Sequence, residues 1–261
     1  MGLLFRCVLI EAAVAIAAPS GHLVYGQRQG SIPDQQIIRE AKLVASGARV
    51  DLYQHDLAVD SALVNVAEDA LAKMESMLGR KLDESTLGPR VRIYVSAATR
   101  ISHVWRGYEH PSDPQPVLFL NAMVAQLAVR GTNATYAHEL GHLLTWRYYS
   151  HTLREGLADY LASQVHPGAA IGPNIGGYGT QDVSREIDDV LGTTLSPPAA
   201  VINDMVVRRA YYYASYRFVH FLIDRAGMST FLKLYDAKDP EHEFVRLYGA
   251  NRRQLVLAAS K

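Results

Sequence analysis

The stretch YAHELGHLLTW, residues 136–146, places His138, Glu139 and His142 in the pattern H-E-x-x-H. On a helix, positions four apart share one face, so His138 and His142 can aim two imidazoles at one metal. That is two of the three protein ligands of a catalytic zinc, whose fourth position holds water. Glu139 is rotated about 100° around the helix axis, off the ligand pair but within reach of that water. A carboxylate there can take the water's proton and later pass it to a leaving amine. The bland alternative is a helix with two polar residues in solvent. Leu140, Leu143, Leu144 and Trp146 speak against it, because they make this helix mostly apolar. Buried histidines beside a glutamate need a metal or full hydrogen bonding.

The third ligand decides the architecture. A metzincin would continue as H-E-x-x-H-x-x-G-x-x-H, but Thr145 stands where its glycine belongs and Tyr148 where its third histidine belongs. A following helix offers another route. REGLADYL, residues 154–161, carries Glu155, thirteen positions after His142 and across a short turn. Two antiparallel helices would bring Glu155 back to the metal. Asp159, one turn later on the same face, would accept a hydrogen bond from a ligand histidine and fix its tautomer. A carboxylate near a helix N-terminus, favoured by the dipole, is the other role open to Glu155.

HELGH followed by EGLADYL resembles the gluzincin metallopeptidases, in particular the compact peptidase MA-like family, which pairs H-E-x-x-H with a downstream E-G-x-A-x-Y. The likeness covers about residues 45–255, and its specific part is 136–161. It implies a thermolysin-like catalytic module, with Zn2+ held by His138, His142 and Glu155. It also implies Glu139 as general base and Asp159 as the supporting acid. YYYASYRFVHFL, residues 211–222, looks like the family's Y-x-x-S…F-V…L helix. That implies an oxyanion donor at Tyr212, with Tyr213 one position off. Packing is the other role open to Tyr211, Tyr212, Tyr213 and Tyr216. The aminopeptidase motif G-A-M-E-N is absent. FLNAM at 119–123 lacks the glutamate that would hold a free N-terminus, so aminopeptidase activity is not expected.

The flanking sequence supplies the frame. DQQIIREAKLVAS (34–46) has helical spacing, and ARVDLYQ (48–54) alternates like a strand. DSALVNVAEDALAKMESML (60–78) predicts a helix capped by Asp60 or Ser61 and ended by Gly79. RVRIYVS (90–96) and PVLFLNA (116–122) predict two further strands. Pro116 favours an edge position for the last, since proline cannot donate to a ladder. The zinc helix should run from Thr132 or Asn133 to about Tyr149, followed by a turn at 150–152. A second helix ends at Pro167-Gly168, and residues 168–198 read as loose. A long helix from Val206 is ended by Gly227, and two shorter helices close the chain. The predicted class is α+β: a small mixed sheet with helices, then the zinc-binding helix pair, then a helical C-terminal half. Residues 34–261 form one catalytic domain, its cleft between the 34–150 and 151–261 halves. His103, His110, His151 and His166 read as surface histidines in or near loops, and His220 as structural. GPNIGGYG (172–179) lacks the lysine and spacing of a phosphate loop.

Composition narrows the function. Of the 261 residues 49% are hydrophobic and 20% charged, with formal net charge zero. A sizeable core fits that balance, and nothing in it favours nucleic acid or an anionic membrane. Residues 1–17 read as a signal peptide: basic MGLLFR, apolar CVLIEAAVAIAA and a cleavage site at Ala15-Ile16-Ala17. Glu11 departs from that pattern. The segment is too short for stable membrane insertion, and residues 18–33 read as a linker. Cys7, the single cysteine, lies in the removed part, so the mature chain has no thiol chemistry. The expected location is periplasmic or secreted, or cytoplasmic if the signal is not used. The expected partner is a peptide or protein substrate, and the oligomeric state is open. The expected activity is zinc-dependent peptide hydrolysis by an endopeptidase that binds its substrate along strand 116–121. The alternatives are a zinc amidase acting on a non-protein amide such as a cell-wall peptide, or a metal-stabilised binding protein without turnover.

Overall fold

The computed structural model describes residues 32–82, 90–105, 117–171 and 185–260. The signal segment, most of the linker, His110, Pro116 and GPNIGGYG lie outside the described residues. Along the chain run α1 (Ile32–Glu40), β1 (Lys42–Ser46), β2 (Val50–Gln54), α2 (Leu63–Leu78), β3 (Val91–Ser96), β4 (His103–Trp105) and β5 (Val117–Asn121). Then follow α3 (Ala122–Val129), α4 (Thr135–Leu144), α5 (His151–Val165), α6 (Arg185–Thr193), α7 (Ala199–Asn203), α8 (Met205–Ala226), α9 (Met228–Tyr235), α10 (Pro240–Tyr248) and α11 (Arg252–Ala259). The class is α+β, as the pattern predicts.

The sheet has the order β1-β2-β3-β5-β4. Its centre, β2, β3 and β5, is parallel, while β1 and β4 pair antiparallel at the two edges. Side chains of a strand alternate between faces. Val91, Ile93, Val95, Leu118 and Leu120 therefore enter the main core with α2 and α4. Tyr94, Val117 and Phe119 point the other way, to a smaller cluster with Ile37 of α1. α2 buries Leu63, Val64, Ala67, Ala70, Leu71, Met74 and Leu78 at three-four spacing. Asp60 accepts the Ala62 N–H at 2.9 Å just ahead of it. Gly79, at φ 63°, turns the chain out of the helix.

Several expectations need correction. The helix expected over 34–46 ends at Glu40, and KLVAS is the strand β1. Pairing with β2, from Lys42 opposite Gln54 to Ser46 opposite Asp51, decides that segment against its helical spacing. β5 is not an edge: β3 flanks it on one side, and β4 pairs with residues 117–119 on the other. The helix that carries H-E-x-x-H stops at Leu144 rather than near Tyr149. Thr145 Oγ1 donates back to Gly141 O at 2.7 Å, and the Tyr235 hydroxyl donates to the Thr145 carbonyl at 2.7 Å. The stretch 168–198 contains α6, and three helices rather than two follow α8. Among the described residues, no helix is long and apolar enough to cross a membrane.

Candidate metal centre

Two helices build the site, and their close approach depends on small residues. Every residue of α4 is buried. Gly141 lets α5 lie against it: a Cβ there would sit 3.3 Å from Ala158 Cα. On the far side of α5, Gly156 meets α8 so closely that a Cβ would fall 2.4 Å from Ser215 O. α5 is thus clamped between α4 and α8, with Glu155 and Asp159 turned toward α4. Ser150 opens α5 by accepting the Leu153 N–H at 3.1 Å. The turn expected at 150–152 is therefore the N-cap and first residues of this helix.

His138, His142 and Glu155 form a buried group able to hold a metal ion, their ligand atoms within 4.8 Å of one another. Glu155 Oε2 lies 3.4 Å from His142 Nε2 and 3.6 Å from His138 Nε2. Both are too long for good hydrogen bonds. They match the roughly 3.4 Å between ligand atoms of a tetrahedral ion with bonds of about 2.1 Å. Behind His138, Asp159 Oδ1 meets Nδ1 at 2.6 Å, which leaves Nε2 for the ion. Asp159 is fully buried. Burial works to lower the His138 pKa, but the Asp159 carboxylate outweighs it and holds the imidazole well above its ordinary value. Burial and the nearby Arg154 charge push His142 down to about 3, while Glu155 acts in the opposite direction. Glu155 stays ionised: burial opposes its charge, but His142, His138 and Arg154 hold its pKa well below the carboxylate range.

Asp159→Asn is expected to weaken divalent-metal affinity about 10- to 100-fold, because the charged partner of His138 is removed. Chelator competition measures this. Unchanged affinity would show that His138 needs no such support.

Glu139 is 7% exposed and takes no hydrogen bond from any described residue. Burial raises its pKa to about 7, with His138 and Glu155 acting in opposite directions. Tyr212 approaches from α8. Its ring centroid lies 6.0 Å from that of His151, and its hydroxyl bonds to no described residue. Burial and the nearby Glu155 charge raise its pKa. The neighbouring tyrosines are differently engaged. The Tyr211 hydroxyl pairs with Thr152, and Tyr213 stacks on Tyr216. His220 rests between Tyr160 and Tyr216, 3.4 Å from Asp224, and touches none of the ligand group.

Three residues of the site escape the sequence reading. His151 is no surface histidine: it begins α5, and its Nε2 is 3.8 Å from Glu155 Oε1. Arg154 brings Nη1 to 3.5 Å from the same oxygen. Glu155 is therefore divided, one oxygen toward the histidines and the other toward a basic pair. His103 sits on the edge strand β4, bonded to Asp34 at 3.1 Å and to the Ile101 carbonyl at 2.8 Å. Burial lowers its pKa, yet the Asp34 bond carries it above the ordinary value, and the Glu139 charge adds to this. His166 is half-buried and pairs with the Tyr136 hydroxyl. Only proximity in the fold reveals these roles, since none lies in a spaced motif. A second cluster, Ser96–His55–Glu40, joins hydroxyl, imidazole and carboxylate at 3.1 Å each. Ser96 is fully buried and its Oγ already accepts the Ala98 N–H, so no nucleophile is presented there.

Comparison of the chain with protein-family models gives no match, and comparison with curated proteins gives none either.

Proposed function

We propose that the chain is a zinc-dependent metallohydrolase that cuts peptide bonds, an exported peptidase of the gluzincin type. The observation that carries this reading is the convergence of His138 Nε2, His142 Nε2 and Glu155 Oε2 beside Glu139, a buried carboxyl group to which no described residue hydrogen-bonds. Two imidazoles and one carboxylate at tetrahedral spacing are a zinc donor set. Bound there, zinc supplies a Lewis acid for the scissile carbonyl and acidifies water toward neutral pH.

The chain's own groups do the rest. Asp159 holds the His138 ring in the ligating orientation. Glu139 accepts a proton from the attacking water and returns it to the departing amine. Tyr212 donates its hydroxyl to the oxygen that becomes negative in the transition state. The strand that meets an extended substrate is β4, the sheet edge nearest α4, rather than β5. A peptide added to the side of β4 that no described strand occupies would pass Glu139 in extended form.

The test is zinc per chain in the purified protein and in Glu155→Ala. The expected result is stoichiometric zinc in the wild type and at least a 100-fold loss of affinity in the variant. A wild type that stays metal-free after zinc addition would overturn the catalytic reading. A variant that binds as tightly as wild type would replace Glu155 as the third ligand.

A further inference from the structure

Arg154 is a largely buried guanidinium beside the candidate metal centre. It directly precedes Glu155 on α5, and its side chain is only 18% exposed. The Nε atom is buried with no hydrogen-bond partner, and the guanidinium hydrogen-bonds to no described residue. Its neighbours are the Tyr148 ring, 4.6 Å below the guanidinium carbon, and Glu155 Oε1, 3.5 Å from Nη1. Other arginines of this chain are treated differently. Arg49 bonds Glu68 and Glu75, Arg90 bonds Asp51, Arg217 bonds Asp188, and Arg252 bonds Glu241. A guanidinium offers five donors in a rigid fork that matches a carboxylate in two-point contact. Burying that fork without acceptors is costly unless a ligand supplies them.

Position selects the ligand. Glu155 Oε2 faces the metal point and Oε1 faces Arg154. The guanidinium thus lies no more than about 8 Å from a metal bound at about 2.1 Å. Adjacent Cα atoms of a peptide are about 3.8 Å apart. A carboxylate on the residue just after the scissile bond spans that reach. We propose that Arg154 receives the terminal carboxylate of the substrate, so that the site releases the last residue of a peptide rather than cutting in its interior. This rests on the zinc-peptidase reading and names its substrate class.

The test uses the zinc-loaded full chain and succinic monohydroxamate, which joins a zinc-chelating head to a carboxylate. Its carboxamide analogue differs only in lacking that charge. Calorimetry is expected to give at least tenfold tighter binding of the acid in the wild type. In Arg154→Met, compared after both proteins are loaded to equal zinc content, the acid and the carboxamide should differ by less than twofold. Arg154→Lys should keep part of the preference. Equal affinities in a wild type that holds zinc overturn this inference alone, as does an acid preference that survives in Arg154→Met. A carboxamide affinity that falls as far as that of the acid in zinc-loaded Arg154→Met also overturns it and leaves Arg154 only as a support of Glu155. Absence of zinc from the wild type is the separate failure of the peptidase reading.

The source of the carboxylate is settled by hydrolysis of N-acetyl peptide pools. Free-acid peptides should be cut at least tenfold faster than their amides, releasing single residues. Amidated peptides cut as fast before Asp or Glu would assign the contact to a side-chain carboxylate and overturn the terminal one.

Discussion

Gly156→Ala is expected to destabilise the metal-free protein by about 3 kcal/mol or more, at the upper end of what overpacking costs. The added Cβ would fall 2.4 Å from Ser215 O, 2.8 Å from Ser215 C and 2.6 Å from Val219 Cγ2. Two of these atoms belong to the backbone of α8, well inside its 22 residues, so no side-chain rotation relieves the clash. The helices must move apart. Because Glu155 adjoins Gly156, that movement also pulls the third ligand from the histidines. Thermal unfolding should show a fall in Tm of about 6–12 °C for a domain of this size, and chelator competition a loss of metal affinity. Gly192→Ala is the control. Its Cβ would meet Arg253 Cγ at 3.5 Å, an ordinary contact, and alanine has the better helix propensity. Its Tm should stay level or rise slightly. A Gly156→Ala protein within 2 °C of wild type would show that α5 and α8 are not locked at this point.

The same glycine shows what a linear sequence carries and what it omits. H-E-x-x-H and E-G-x-A are readable because helical geometry converts fixed spacings into shared faces. Asp159 is found by the same logic, one turn beyond Glu155. α2, α5 and α8 are legible for a related reason: periodic apolar residues, caps and terminal glycines are local signals. The strand β1 is not legible. Residues 42–46 continue a helical spacing, and only the partner β2 makes them a strand. β4 is three residues long and has no pattern of its own. Its presence turns β5 from an edge into an inner strand and moves the candidate substrate surface to His103–Trp105.

The electrostatic surroundings of the ligands were hidden for a different reason. His151 and Arg154 adjoin Glu155 in sequence, but their relation to its outer oxygen depends on where α5 begins. Ser150 as N-cap sets that start and brings the His151 ring beside Glu155. His103 and Asp34 are 69 positions apart and meet only because α1 packs on the sheet face that carries Tyr94 and Phe119. Tyr212 and Tyr213 cannot be separated by counting residues. The structure distinguishes them by contact, with Tyr212 beside His151 and Tyr213 stacked on Tyr216.

Glu139→Gln is expected to lower kcat on the order of 1,000-fold while zinc content and Tm stay at wild-type values, within the range for loss of a general base. Glutamine has the shape of the carboxylate but cannot take the proton. Zinc should remain because Glu139 lies outside the candidate ligand group of His138, His142 and Glu155. The fold should tolerate the change because no described residue bonds to the Glu139 carboxyl. Substrate affinity should change little, so the loss falls on kcat rather than KM. Each alternative reads out differently. A fall in zinc content would make Glu139 a ligand. A kcat within tenfold of wild type would place the base elsewhere. A wild type that binds peptides and zinc but turns nothing over, indistinguishable from Glu139→Gln, would make the centre a metal-held binding site. A site without turnover gives no reason for a buried carboxyl group that no described residue bonds, and a working base does.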